Sequence, residues 1–565
     1  MQAEAARILD ALVNNPKLNV PDKVKEQRSR LEFDGEETQP FYPTPYKAAE
    51  SQAAVLGLVG LFAAAISKER YGLDQEIKIN LDQAMLNGLG ALFQRTNDEW
   101  LSGNQQMMSG VQRWDHGNTR ELYRQLATNI YKTKDGRWYS LHGNMDPTPV
   151  LTMLGVPQHD EKNRTWPEIL EMYMEIVAGL DSKTLDDWSN NVYRTPGTIC
   201  YEEDEFLATQ HGQSVKDEAL YNLHKQSYSS NPVCPWPESP LEDKRPLSGV
   251  KVLELARAIA APTIGRVLSA LGAAVIRVSS SLNTELPITL VDGCVGKISI
   301  DINLKSFEGR KILLDLIKDA DVFIDGYRPS VLEHLGFGRD AVLGLVEGRS
   351  RGIVYCQENC YGWKGPWVHR PGWAQISDTL TGIGLNVGRF NGFEEAHIFP
   401  GPNADYLTGH AGAASVLHAL YLRSHDGGSF NVNCSLTISN LHMIKAGKYS
   451  AEQQEMMKKR NVELIGHMRH FDEIVSHGKN RHCVRGYIAD RPFEKAIRKE
   501  FYETVSGKPW GWNQEVEVVS LALRFSDTKT SFPHGAFPPG YHLPGWTPVA
   551  NPDFDPLPIY NSRGK

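Results

Sequence analysis

From Val250 to Tyr327 the chain alternates short apolar runs with helical patterns: VKVLELA, then APTIGRVLSALGA, AVIRVSS, KISIDIN, EGRKILLDLIKDA and DVFIDGY. Successive strands separated by helices pair in parallel, because each needs a crossover, and a right-twisted strand packs its crossover helix back on one hand only. The pattern therefore predicts an α/β fold with a Rossmann-like, mostly parallel sheet. The strand-to-helix turn ELARAIAAPTIG lacks G-x-G-x-x-G, which counts against a dinucleotide site while leaving the architecture intact.

A chain of 565 residues exceeds one hydrophobic core and implies several lobes. Hydrophobic residues at 41% and charged residues at 23% describe a globular protein. A formal net charge of -8 gives no global attraction to nucleic acid or an anionic membrane, so neither is expected as a partner and any basic site must be local. The N-terminal MQAEAARILDALVNNP carries acidic residues and no apolar h-region, and does not read as a secretory signal. Val55 to Ile66 is too short an apolar run to span a bilayer and reads as a buried helix. The seven cysteines (200, 234, 294, 356, 360, 434 and 483) include no C-x-x-C pair, so free thiols and no metal are expected. The terminal NSRGK is not a peroxisomal SKL signal. The expected location is cytoplasmic, with mitochondrion and peroxisome left open.

Pro and Ser concentrate in SYSSNPVCPWPESPLEDKRPLSG, which marks an exposed linker over 228–247. Before it, NIYKTKDGRWYSLHG reads as two strands about an Asp135-Gly136 turn, followed by helices in WPEILEMYMEIVAGL and SKTLDDWSNNV. These form a small α+β domain over 126–227. Residues 248–445 carry the Rossmann-like domain, and 446–565 a C-terminal segment whose Pro- and aromatic-rich tail runs extended over a surface. Residues 1–125 are read through an internal echo. The segment from Thr44, TPYKAAESQAAVLGLVGLFAAAISKERYGLDQEIKINL, repeats the order of PGPNADYLTGHAGAASVLHALYLRSHDGGSFNVNCSL: a Pro loop, an Ala-acid dipeptide, a small-residue helix, a Gly turn and a strand. Glu50 falls opposite Asp405 at an offset of 355 residues. Either the chain is duplicated, with 1–125 a degenerate first copy, or two amphipathic helices followed by hairpins share a common look.

Asp405 is a lone carboxylate at the start of the second small-residue helix. Two compatible readings apply. It caps the helix, or the N–H groups and positive dipole end keep it ionised as a nucleophile.

Read in order, PLSGVKVLELARAIAAPTIGRVLSALGAAVIRV, KISIDINLKSFEGRKILLDLIKDADVFIDGYRPSVLEHLG, RPGWAQISDTLTG and NADYLTGHAGAASVLHAL resemble the class III CoA-transferase family, also called CaiB/BaiF or formyl-CoA transferase-like, in a long, duplicated fungal-type form. The resemblance implies protomers interlocked like chain links, each with a Rossmann-like large domain and a small α+β domain, so that the two halves form a pseudo-dimer within one chain or two chains a homodimer. It implies coenzyme A as part of substrate and product, with an acyl-CoA and a small carboxylic acid as partners and no metal. The family's nucleophile stands in a D-Y-x-x-G-like setting, which here is Asp405, whereas Glu50 lacks the matching Gly and is expected to be structural. CoA would pass from thioester to acceptor acid through an aspartyl anhydride and an aspartyl-CoA thioester.

Arg257, with Ala258 beside it, and Arg328 follow strand ends, where ligands of open α/β sheets gather; Lys297, Tyr327 and His334 sit at positions resembling the family's CoA contacts. Glu358, in ENCYGWKGPW, falls where a family loop approaches the thioester and would orient substrate or polarise Asp405. Related racemases carry His in an R-x-G-H-D pattern where this chain has Trp373, which removes one of two acid/base groups, and Gln375 lies near a position where formyl-CoA transferase-like members have a carboxylate. Trp373, Gln375 and Gly409 are candidate substrate-pocket residues, tight helix packing being the other reading of Gly409. A racemase or isomerase of the same superfamily and a non-catalytic CoA-binding protein are the alternatives to a transferase.

Overall fold

A computed structural model describes residues 1–97, 99–239, 242–462, 465–472 and 498–556. Cys483 and the terminal NSRGK lie outside the described residues. The central sheet has seven strands in the order Ile298–Asp301, Ala274–Ser279, Lys251–Leu255, Val322–Asp325, Val354–Asn359, Phe430–Ser435 and Asn222–Lys225. Every pairing is parallel except the last, which is antiparallel. Strands such as Lys251–Leu255 and Val322–Asp325 are buried along almost their whole length, as expected where helices cover both faces of a parallel sheet. The Rossmann-like reading of the second half therefore holds.

The echo is structural. Ala48–Tyr71 and Asn403–Asp426 are both helices of 24 residues, and both start 355 residues apart. At the same offset, Asn80 and Ser435 end the following strands, and each side chain caps the next helix by accepting from the N–H of Gln83 or Ile438. The strand arrangement repeats too. Leu31–Asp34 pairs in parallel with Ile77–Asn80, whose other edge takes Leu523–Phe525 antiparallel. This is the order of Val354–Asn359, Phe430–Ser435 and Asn222–Lys225 in the large sheet.

The two long helices are apolar and small-residued on all sides, and such helices belong in an interior. By length and composition the Ala48 helix would also cross a membrane, but its apolar window is wholly buried within the fold. The Asn403 helix packs between it and the helix Ala260–Ala270. A Cβ on Gly409 would stand 2.4 Å from Thr263 Cβ, and one on Gly412 2.5 Å from Ile264 Cδ1. Gly409 is thus a packing residue that lets two helices touch, and it lines neither of the two cavities that meet at Asp405; its assignment to the substrate pocket is corrected.

The small domain contains the expected hairpin, Asn129–Lys132 with Trp138–Leu141, and the helices Trp166–Ala178 and Ser182–Asp187. A third strand, Gly197–Ile199, completes its sheet. Two boundaries shift, and the linker is held against the body. Asn222–Lys225 leaves the small domain for the edge of the large sheet. The first-copy lobe is not closed by residues 1–125, since Leu523–Phe525 joins its sheet and the hairpin Tyr502–Ser506/Glu515–Val519 pairs with Arg95–Thr96. The linker is pinned down: Arg70 donates to the carbonyls of Pro237, Pro246 and Ser248 at 2.7, 2.7 and 2.9 Å. Beyond Phe525 the tail runs largely without regular structure, as expected, touching the body through bridges such as Val295 to Ala536.

Gly409→Ala should lower stability by about 1–3 kcal/mol, the usual cost of overpacking a close contact, because the facing Thr263 is branched and backbone-anchored. Urea unfolding would register this as a lower midpoint.

Candidate active site

Asp405 is the third residue of its helix, and Pro402 holds the cap position. The N-cap reading of Asp405 is therefore corrected. Its side chain is 8% exposed and has no hydrogen-bond partner among the described residues. The carboxyl stands where two cavities meet: Asp405, Trp373, Asn144 and Ile259 line both. One is a groove of about 670 Å³ rich in polar groups, the other a cavity of about 230 Å³ walled mainly by apolar side chains.

Burial, then the carboxyls of Glu358 and Asp378, hold Asp405 well above the usual carboxylate range. This overturns the expectation that the helix start keeps it ionised. A helix N-terminus contributes about 0.3–1 kcal/mol, whereas desolvation of a buried carboxyl shifts it by up to about 3–5 pH units. Desolvation outweighs the helix end, so the proton on Asp405 is favoured relative to an exposed aspartate.

The polar groove follows the C-terminal ends of the sheet strands. Arg257 leaves Lys251–Leu255, donates to Thr284 O at 3.0 Å and lies over the Tyr327 ring at 5.2 Å. Ala258 holds φ +64°, a strained backbone for a residue with a Cβ, which turns the chain sharply into the helix Ala260–Ala270. Arg328 leaves Val322–Asp325; its burial first, then Arg194 and Arg257, lower its guanidinium to about 10. The positive charges of Arg194 and Arg257 both disfavour that of Arg328, an arrangement an anion would relieve. His334 also lines the groove.

Lys297 does not. It is wholly buried, with Nζ 2.9 and 2.8 Å from the Glu254 carboxylate and 2.7 Å from Pro262 O. Its charge is spent beneath the helix Ala260–Ala270, and its assignment as a CoA contact is corrected. Lys305, which lines the groove just past the strand Ile298–Asp301, was missed. Its signal was the same as that of Arg257, a cation following a strand end.

Glu358, near the end of Val354–Asn359, faces the groove and is raised to about 8 by burial and by Asp325. Asp325 is itself raised to about 7, mainly by burial. The thiol of Cys360 stands in the same wall and is pushed up by burial, Glu358 and Asp405.

In the apolar cavity Trp373 stacks on His142, ring centres 5.0 Å apart and planes 11° apart, and donates from Nε1 to Asn144 Oδ1 at 3.1 Å. His142 Nδ1 accepts from the Asn144 N–H at 2.9 Å, and burial lowers its pKa to about 3, so the ring is neutral. Gln375 lines this cavity with a buried Oε1 that has no partner in the described structure. Asp378, also missed, lines it with a 3% exposed carboxyl that accepts from Asn440 Nδ2 at 2.8 Å and is raised to about 7 by burial. Its signal was an Asp inside the otherwise uncharged helical run AQISDTL.

The corresponding position in the first copy is closed. Glu50 is 1% exposed, and the Tyr449 hydroxyl donates to its carboxylate at 2.6 Å. Ala91 and Leu92 of the first half instead line the apolar cavity of the second.

The fold and site together are a parallel α/β sheet with a cationic groove at its strand ends and an unpartnered carboxyl where that groove meets an apolar cavity. Sequence comparison places it. The profile described as CoA-transferase family III matches residues 247–472. An acetyl-coenzyme A transferase, nodX, of Hypoxylon pulicicidum is 38% identical over 481 residues, covering 82% of this chain and 80% of that protein. An acyl-CoA transferase of Gibberella moniliformis is 32% identical, covering 81% of each. The succinyl-CoA:glutarate CoA-transferase of Mus musculus is 28% identical over 39% of this chain and 52% of its own length. The chain belongs to CoA-transferase family III.

The acidic site carries a stability signature. Asp378 keeps its proton in the folded chain up to about pH 7, but an unfolded chain loses it near pH 4. Between those values the folded state binds more protons, so stability falls as pH rises. Asp378→Asn should therefore raise the urea midpoint relative to the parent more at about pH 8.5 than at about pH 5. Equal shifts at both would refute the burial assignment.

Proposed function

We propose that the chain transfers CoA from an acyl-CoA thioester to a carboxylic acid, with Asp405 as the covalent nucleophile. The observation that carries this is the position of Asp405: an unpartnered carboxyl at the junction of a cationic groove and an apolar cavity. The groove suits the phosphates and pantetheine arm of CoA, with Arg257, Arg328 and Lys305 as its cations, and the cavity suits the acyl group.

Ionised Asp405 attacks the thioester carbonyl carbon; the C–S bond breaks, CoA leaves as thiolate, and an acyl-aspartyl anhydride remains. The thiolate then attacks the Asp405 carbonyl of the anhydride, releasing the donor acid and leaving an aspartyl-CoA thioester. The acceptor carboxylate attacks that thioester, expelling CoA thiolate and forming a second anhydride. Attack of the thiolate on the acceptor acyl carbon gives the new acyl-CoA and returns Asp405 as carboxylate. Atoms and charge balance without a metal or redox step. A carboxylate with no donors around it is poorly solvated and correspondingly reactive once ionised, and the enclosing walls keep water from the anhydride. The first turn of the helix Ala260–Ala270, whose cap Ile259 offers no side-chain acceptor for its free N–H groups, borders the junction and suits the developing oxyanion.

Because both halves of one chain wall the apolar cavity, a single chain holds a complete site, in the manner of a pseudo-dimer.

Incubation with an acyl-CoA, trapping with hydroxylamine or borohydride, and peptide mapping should place the modification on Asp405. An unmodified Asp405 in a preparation that still exchanges CoA would refute the mechanism, and one with no exchange but tight CoA binding would favour a binding protein. A racemase would instead incorporate solvent deuterium at the α carbon without any acceptor acid. Activity should rise with pH as Asp405 ionises, and Asp378→Asn, which removes a repelling charge, should move that limb to lower pH. Arg257→Ala and Arg328→Ala should each raise KM for acyl-CoA about 10- to 100-fold, the loss of one charge-assisted contact, with a smaller effect on kcat.

A further inference from the structure

We propose that the acyl cavity selects an apolar monocarboxylic acyl group of medium length and rejects dicarboxylyl groups, and that the catalytically silent first half of the chain supplies part of this selectivity. The inference rests on the CoA-transferase reading of Asp405 and adds a substrate class to it.

Leu92, Leu141, Leu286, Ile288 and Ile398 give the cavity its apolar walls, drawn from the first copy, the small domain and the large domain. At about 230 Å³ it is half as large again as the ~150 Å³ apolar cavity that accommodates a benzene ring. That volume far exceeds the methyl of an acetyl group and corresponds to a tail of roughly six to ten carbons.

Charge argues against a second carboxylate. The ionisable acids in the cavity are Asp405 and Asp378, both raised by burial, so the site already disfavours negative charge. Two cations reach its wall, and both are committed. Arg124 donates to Gly117 O, Gln158 O, the Asp146 carboxylate and Thr148 Oγ1 at 3.0, 2.9, 2.9 and 3.1 Å. Arg120 donates to Gln112 Oε1 at 3.2 Å and faces Asp115. A distal carboxylate entering here would lose its water and meet only guanidinium groups whose N–H donors are already engaged within the protein, whereas each methylene removed from water favours transfer by about fourfold.

The test measures kcat/KM for acetyl-, butyryl-, hexanoyl-, octanoyl-, succinyl- and glutaryl-CoA with one fixed acceptor. Octanoyl-CoA should exceed acetyl-CoA by roughly 100-fold or more, from about fourfold per methylene, and succinyl- and glutaryl-CoA should fall below the monoacyl thioesters of matching length. Leu92→Trp and, separately, Ile288→Phe should lower the octanoyl-to-acetyl ratio. That ratio is internal to one preparation, so partial misfolding cancels out of it. A flat series, a diacid thioester above its monoacyl counterpart, or an unchanged ratio in both variants would overturn the proposal. Calorimetry of octanoate and glutarate on the CoA-loaded protein separates this from the mechanism. Octanoate binding without any trapping on Asp405 would keep the cavity and discard the anhydride; equal trapping by every acyl-CoA would do the reverse.

Discussion

The close contact between the Ala48 and Asn403 helices is the interaction on which the rest of the structure depends. Small residues along both let their backbones approach, and the apolar character on every side leaves neither a face for water. The contact is also keyed by polar groups. Gln52 donates from Nε2 to the carbonyl and Oδ1 of Asn403, both at 3.0 Å, and its Oε1 accepts from His410 at 2.8 Å. Because Asn403 opens the helix that carries Asp405, these bonds tie the first turn of that helix to the first half of the chain. Tyr406, next along, accepts from the Ala91 N–H at 2.6 Å and donates to Asp292 at 2.7 Å. The two halves are thereby fixed on either side of Asp405, and the apolar cavity forms between them.

Equivalent positions on the two helices have met opposite fates. Glu50 and Asp405 both stand at the third helical position, both are buried, and both are raised by burial. What differs is what faces them. Tyr449 fills the space before Glu50 and satisfies its carboxylate, whereas nothing in the described structure satisfies Asp405. A buried carboxyl without donors costs stability, and proteins retain such costs at functional sites. Around Asp405 the cost is repeated, since Glu358, Asp378 and Asp325 are all held protonated beyond their ordinary range.

Much of this was legible in the chain. The alternation from Val250 to Tyr327 gave the sheet and its polarity, and the placement of Arg257 and Arg328 after strand ends put both in the groove. The repeat at an offset of 355 was readable to the residue, because helix length, strand end and capping side chain were all kept. Lys297 shows the limit. It too stands at the edge of a strand, but whether such a lysine reaches a ligand or a buried Glu254 depends on which helix lies over it, and no local pattern encodes that. Gly409 is similar: a glycine in a helix signals close approach, and only the packed structure says whether a ligand or Thr263 approaches. Asp378 and His142 are far apart in sequence and share a cavity only because the small domain folds back on the large one.

By itself, the sequence determined the fold class and displayed the echo at an offset of 355 residues, since these follow from periodicities and dihedral preferences that act over a few residues; the choice of Asp405 as candidate came from the family resemblance. Only the tertiary structure decided that burial raises this carboxyl, that Lys297 is sealed away and that the first half walls the apolar cavity beside Asp405. Desolvation and cavity shape are set by atoms from segments hundreds of residues apart, and those meet only when the two long helices close against each other.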